Sequence, residues 1–197
     1  MKINRNIEYY GNDIVMIDTI QDGSSMLHSI MMSISKEYKM NKINRKEMVK
    51  NLRVNLSNKL STKKSLDDKL TYYEELSGGR YKELSKRIKK LSLDNMMREL
   101  KSNENIDDIY IEYISNVLNY DIYVFDYGTM DVKMVGTKYE YMYKGRKSVC
   151  IIKKNGYYKL MGLQNNTGKI RTNYEYKDKY IKLNNNRKNI KYISKSN

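Results

Sequence analysis

Apolar positions along this chain follow a helical period first and a strand-like one after about residue 120. The continuous run Ile14, Val15, Met16 and Ile17 predicts a buried strand or an extended lead-in. Gln21-Asp22-Gly23-Ser24-Ser25 is a turn cluster of residue types that also start helices. Behind it, Met26, Ile30, Met31 and Ile34 recur at helical spacing with Leu27 on the flank. The spacing predicts a helix from Ser25 to about Glu37, with an apolar face broad enough to be buried. Val49, Leu52, Leu56 and Leu60 predict an amphipathic helix over 44–60 with a basic outer face. Leu66, Leu70, Tyr73 and Leu76 predict another, stopped at Gly78-Gly79, where a left-handed cap suits glycine. Tyr81, Leu84, Ile88 and Leu91 mark the next, and Met96, Met97 and Leu100 a short one. Over 105–119, Ile106, Ile109, Tyr110, Tyr113, Ile114, Val117 and Leu118 form an apolar stripe. Asp107 and Asp108 stand where the positive end of that helix's dipole is expected.

The period then shortens. Asp121–Asp126, 130–135, 148–153 and 157–163 are β-rich runs separated by Gly128, Gly136, Gly145 and Gly156. Helices followed by clustered strands predict one α/β domain over 1–163, with helices packed on a small sheet. From Gln164 to Asn197 the apolar content falls, and nine basic residues stand against two acidic ones. Lys169, Arg171, Lys177, Lys179, Lys182, Arg187, Lys188 and Lys191 make this a basic, Tyr/Lys/Asn-rich tail. Its Tyr174, Tyr176, Tyr180 and Ile181 are expected to hold it on the domain or on a partner.

Composition narrows the chemistry. The 197 residues carry a formal charge of +15, which suits nucleic acid, an anionic surface or an acidic protein as neighbour. Lys, Asn, Ile and Tyr dominate, as an AT-rich coding sequence would produce, so part of this charge is expected from compositional drift. Single residues of Cys (Cys150) and His (His28) exclude a disulfide framework and any site needing two histidines. No metal or cofactor is expected. Cys150 lies in an apolar run and reads as a small buried hydrophobe. No apolar stretch approaches the roughly 18 residues needed to span a bilayer, and the expectation is a soluble intracellular protein.

Three separated segments resemble the ovarian-tumour (OTU) domain cysteine proteases. Asp22-Gly23-Ser24-Ser25-Met26-Leu27 is similar to their nucleophile segment, Asp-Gly-Asn-Cys-Leu-Phe followed by a helix. Asn105–Ser115 with Ile122-Tyr123-Val124-Phe125 resembles an internal helix and strand, and Val149–Leu160 the terminal hairpin that carries the catalytic His. The resemblance implies an OTU-like fold of the papain-like superfamily across about 7–163. It puts the nucleophile position on Ser25, the base position on Tyr157 and the orienting position on Lys159. Asp22, Gly23 and Ser24 take the oxyanion and cap region.

All three catalytic roles are altered. A serine hydroxyl needs a general base near neutral pH, and a phenol, titrating near ~10, is a poor proton acceptor there. His28 shares Ser25's helix, whereas the family's base comes from the sheet. The expectation is an inactive OTU-like pseudoenzyme that serves as a structural or binding module. A component of a viral particle or nucleoprotein complex of a large DNA virus would suit its size and composition. Ubiquitin binding, or an atypical active deubiquitinase, is the alternative reading.

Overall fold

A computed structural model describes residues 7–10, 14–61, 93–107, 110–128 and 146–175. The helices expected over 66–76 and 81–91 and the strand over 130–135 lie outside the described residues.

Seven strands form one mixed sheet. They are β1 (Ile7–Tyr10), β2 (Ile14–Ile17), β3 (Asp121–Asp126), β4 (Ser148–Lys154), β5 (Tyr157–Gln164), β6 (Ile170–Arg171) and β7 (Asn173–Tyr174). The main path runs β1-β2-β5-β4-β3, with β6 paired to β5 and β7 to β4. Among the described strands only β3 and β4 pair in parallel, Ile122 opposite Val149 and Val124 opposite Ile151. The hairpin between β4 and β5 turns through Asn155 and Gly156, both at positive φ, which these two residue types tolerate best.

Two faces of the sheet are buried, so its strands read as continuous apolar runs rather than alternating ones. Ile122, Val124, Val149, Ile151, Tyr158 and Leu160 pack with the helices in the larger cluster. Tyr123, Phe125, Cys150, Ile152, Met16, Met161 and Tyr174 form the second, on the other set of alternating positions. Cys150 is fully buried there, as its apolar neighbours predict.

Helix α1 (Ser25–Ile34) lies against β4 and β5 and is buried almost all round, including Met26, Leu27, His28, Ile30 and Met31. It stops at Ser35, in extended backbone, whose side chain caps the short α2 (Lys36–Lys39). The single helix expected to reach Glu37 is therefore two. Helix α3 (Arg45–Ser61) buries Val49, Leu56 and Leu60 as predicted, and α4 (Leu93–Lys101) packs on it through Met96 and Leu100. Within the described residues, the helix expected over 105–119 is α5 (Ile111–Leu118). Ile106 and Asp107 belong to its lead-in, because the Ile106 amide is taken by the Gly23 carbonyl instead of a helical ladder.

The sheet does not end at Leu163. After Leu160, β5 leaves β4 to run beside β2, and residues 170–174 fill the fork: Arg171 pairs with Leu163, and Tyr174 with Ser148. Gly162 sits in this fork, where an added Cβ would stand 2.6 Å from the Ile170 side chain and 3.0 Å from the Arg171 carbonyl. The first part of the expected tail is thus structural. Tyr174 is fully buried, Thr172 nearly so, and Lys147 pairs with Glu175 at 2.7 Å.

Candidate functional site

Helix α1 begins in the turn that the resemblance singles out. Asp22 accepts the Ser24 amide on Oδ1 at 2.8 Å, and its carbonyl accepts the Ser25 amide at 2.9 Å. Gly23 is required by close approach: a Cβ there would lie 2.0 Å from the Asn103 carbonyl oxygen. Behind the turn stands Arg53, a fully buried guanidinium. Its Nη1 donates to Ser24 Oγ (2.9 Å) and the Gly23 carbonyl (3.2 Å), its Nε to the Leu100 carbonyl and its Nη2 to the Glu99 carbonyl. One side chain so joins α3, the C-terminal end of α4 and the start of α1. A charged side chain this deep is tolerated because its donors are met. Burial lowers its pKa from the ordinary arginine value, opposed in part by Asp22.

Ser25 is the first residue of α1 and is buried, its hydroxyl accepting the Tyr158 amide at 3.2 Å. Ser29, one turn on, donates to the Tyr158 carbonyl at 3.1 Å. Ser33, a further turn on, donates to the Thr172 carbonyl at 2.8 Å. Residues four apart share a helix face, so the three hydroxyls form a seam that stitches α1 to the sheet. Ser25 is its first stitch.

The base position is the residue next to this contact. Tyr157 is 37% exposed, while its neighbour Tyr158 carries the contact to Ser25. Lys159, in the orienting position, is buried and its Nζ lies 2.7 Å from Asp18 Oδ1. The resemblance expects a polar or acidic group there to hold an imidazole; here a cation occupies it, neutralised by a carboxylate from the segment after β2.

The chain's one imidazole is engaged elsewhere. His28 is buried, with Nδ1 2.5 Å from the Tyr38 hydroxyl and Nε2 3.4 Å from Asp22 Oδ2. Burial lowers its pKa from the ordinary 6.5, against the raising effect of Asp22. Burial also raises the Tyr38 phenol, which keeps its proton; with Nε2 turned to the Asp22 carboxylate, the neutral ring holds its proton there and Nδ1 accepts from the Tyr38 hydroxyl. Arg45 lies over the Tyr38 ring and donates to the Tyr38 and Lys39 carbonyls. Both ring nitrogens thus face Asp22 and Tyr38, and neither is hydrogen-bonded to Ser25.

Among the other sequence candidates, Lys169 is exposed in the turn before β6, where its amide and carbonyl are tied to Asn165. Arg171 lies on β6 over the Tyr174 ring, 5.0 Å from its centroid. Lys177, Lys179, Lys182, Arg187, Lys188 and Lys191 lie outside the described residues. The described residues contain no group of three or more His, Cys, Asp or Glu arranged to hold a metal, and no helix long and apolar enough to cross a membrane.

Sequence reasoning missed Arg53 and the serine seam. Both had a signal: Arg53 falls between Val49 and Leu56 on the core-facing spacing, and Ser25, Ser29 and Ser33 recur every fourth residue.

No family model matches this chain, and no curated protein matches it. Solved structures do. An OTU domain solved in complex with ubiquitin aligns over 93% of this chain and 87% of its own, at 14% identity and a TM-score of 0.55. The OTU domain of OTUD1 aligns over 75% of this chain and 85% of its own, at 12% identity and a TM-score of 0.46. The first of these likenesses establishes an OTU-like α/β fold.

Proposed function

We propose that this chain is an OTU-fold binding module without hydrolase activity, a pseudoenzyme whose first candidate ligand is ubiquitin. The observation that carries this reading is the setting of Ser25: its hydroxyl accepts the Tyr158 amide, and the chain's one imidazole is hydrogen-bonded to Tyr38 and not to it. A serine nucleophile needs a base within hydrogen-bond reach and amide donors aimed at the developing oxyanion. Here the Ser24 and Ser25 amides are both satisfied inside their own turn by Asp22. Ubiquitin enters as a candidate because an OTU domain that aligns over 93% of this chain was solved in complex with it. The net charge of +15 suits a setting in a larger assembly, such as a viral particle or nucleoprotein complex, with acidic protein or nucleic acid alongside.

Two assays on the full chain test this. Ubiquitin bearing a C-terminal electrophile should form no adduct, and ubiquitin chains should remain uncut at neutral pH. Titration of ubiquitin by NMR should give saturable shifts confined to one face. Chain cleavage that disappears in Ser25→Ala would overturn the inactive assignment, and flat titrations would remove ubiquitin as the ligand.

A further inference from the structure

The chain's one imidazole joins two parts of the molecule. His28, on α1, meets α2 through Nδ1, 2.5 Å from the Tyr38 hydroxyl. It meets the turn before Ser25 through Nε2, 3.4 Å from Asp22 Oδ2. His28 and Tyr38 are both buried. Tyr38 is also the one buried residue of α2, so it is the side chain that seats this short helix on α1. Among the described residues its hydroxyl has no hydrogen-bond partner besides His28. Arg45 donates to the Tyr38 and Lys39 carbonyls, which joins α2 to the start of α3 through the backbone and leaves the phenol to His28.

A neutral ring suits this arrangement and a charged one does not. With its proton on Nε2, towards the carboxylate, the ring offers Nδ1 as acceptor to the phenol. A second proton, on Nδ1, sets two donors against each other. The phenol can then turn its hydrogen away only into the apolar cluster that holds its ring, where an unmet donor is costly. The charges around the imidazole divide. Asp22 favours the charged form, while Arg45, over the Tyr38 ring, and Lys46 oppose it from α3. Arg53 stands behind the same turn on Ser24 Oγ, and the sheet side of α1 carries Tyr158 with Lys153 over its ring. Among the described residues Asp22 is thus the one carboxylate turned to the imidazole, and it suits either protonation state.

We propose that His28 is an acid-operated latch for α2. When neutral, the ring joins α2 to the turn before Ser25. When protonated, it keeps Asp22 and gives up Tyr38, and α2 lifts from α1 with its phenol. Expelling the imidazole instead would break the contact with Asp22 and disturb α1, a helix of 10 residues buried almost all round. Helix α2 has four residues, with Lys36 and Glu37 exposed and Met40 exposed behind it, so it is the part that moves. Its release bares the flank of α1 that carries His28, three residues on from Ser25. Acidity would in this way reshape the surface beside the Ser25 turn. The latch depends neither on ubiquitin as ligand nor on Ser25 being inert.

The test is amide hydrogen exchange by NMR on the full chain at pH 7.5 and 5.5, with rates corrected for the intrinsic effect of pH. An imidazole that titrates near ~6.5 once released, and stays neutral while latched, makes opening about tenfold more frequent at the lower pH. The Lys39 and Met40 amides, bonded to the Ser35 and Lys36 carbonyls, should lose protection by about that factor. Amides of β4 and β5 should keep theirs. Nitrogen shifts of the single histidine should show its proton on Nε2 at pH 7.5. Asp22→Asn should move the loss to lower pH, because the carboxylate favours the charged ring, and His28→Gln should remove it. Unchanged α2 protection at pH 5.5, or a loss shared equally by β4 and β5, would overturn the proposal. So would a proton on Nδ1 at pH 7.5, a loss that Asp22→Asn does not shift, or one that persists in His28→Gln.

Discussion

Lys159 and Asp18 form an ion pair at 2.7 Å across the edge of β5, with side chains 9% and 17% exposed. The position that the family resemblance gives to an orienting group is thereby turned into a strand-to-strand tie. Removing one partner leaves the other charge poorly solvated, which costs about 3–5 kcal/mol when the pair is fully buried. Here, with part of Asp18 still wetted, Lys159→Met should cost about 2–3 kcal/mol. The double change Asp18→Leu with Lys159→Met should recover much of that in urea melts. A double variant no more stable than Lys159→Met would show that the two groups are not coupled.

The serine seam should behave as structure. Ser25→Ala, Ser29→Ala and Ser33→Ala each remove one hydrogen bond between α1 and the segments it packs on. Each should lower stability by about 1 kcal/mol, rising towards about 2–3 kcal/mol where a buried group is left unpaired. Denaturant midpoints check this, and an unaffected Ser25→Ala would free that hydroxyl from the role assigned to it.

Tyr158→Phe should go the other way. The Tyr158 hydroxyl is buried without a hydrogen-bond partner among the described residues, and Lys153 lies over the ring rather than at its oxygen. Deleting an unsatisfied polar atom and keeping the ring should leave stability unchanged or raise it by up to about 1 kcal/mol. A loss in urea melts larger than this would mean that the oxygen is bonded.

His28 sets a pH dependence whose sign follows from burial. Its folded pKa lies below 6.5, so below that value the unfolded chain binds the proton more readily than the folded one. The His28 contribution is therefore complete above about pH 6.5 and is lost as pH falls towards the folded value. Stability measured between pH 7.5 and 5.5 should decline in the native chain. The decline should flatten in His28→Gln, because no second histidine titrates in this window.

Ending the chain at Leu163 should unfold the domain, whereas ending it at Glu175 should keep the described sheet. The shorter chain loses β6, β7, the Thr172 acceptor of Ser33 and the buried Tyr174 ring. Tyr174→Ala alone should cost about 3–5 kcal/mol, the range for emptying a buried aromatic site. Thermal melts of the two truncations distinguish the outcomes.

Much of this architecture was legible in the residues because long periodic segments leave few choices. Met26, Ile30 and Met31 could only form a buried face, and Val149–Ile152 only an interior strand. The turn at Asp22–Ser25 was found for the same reason: its residue types start helices. What escaped were features without a period. Ile170-Arg171 and Asn173-Tyr174 are two-residue strands, too short to alternate, and they pair only because β5 leaves β4. Arg53 was hidden by its charge, since a guanidinium at a core position reads as surface until its acceptors are known. Ser25 was legible as a residue at the start of a buried helix, but that the Tyr158 amide would meet its hydroxyl depends on how β5 packs against α1.

The fork between β4 and β5 also sets an order in time. Synthesis delivers β2 early, yet its partner β5 arrives only with Leu160–Leu163, and the segment that closes the fork only with Tyr174. A growing chain that has reached Gly168 holds α1 with Ser33 still lacking the Thr172 carbonyl, and β4 with Ser148 and Val149 still lacking their partners on β7. Those exposed strand groups can pair with another chain, so the interval before residue 174 emerges is the one in which this protein needs shielding.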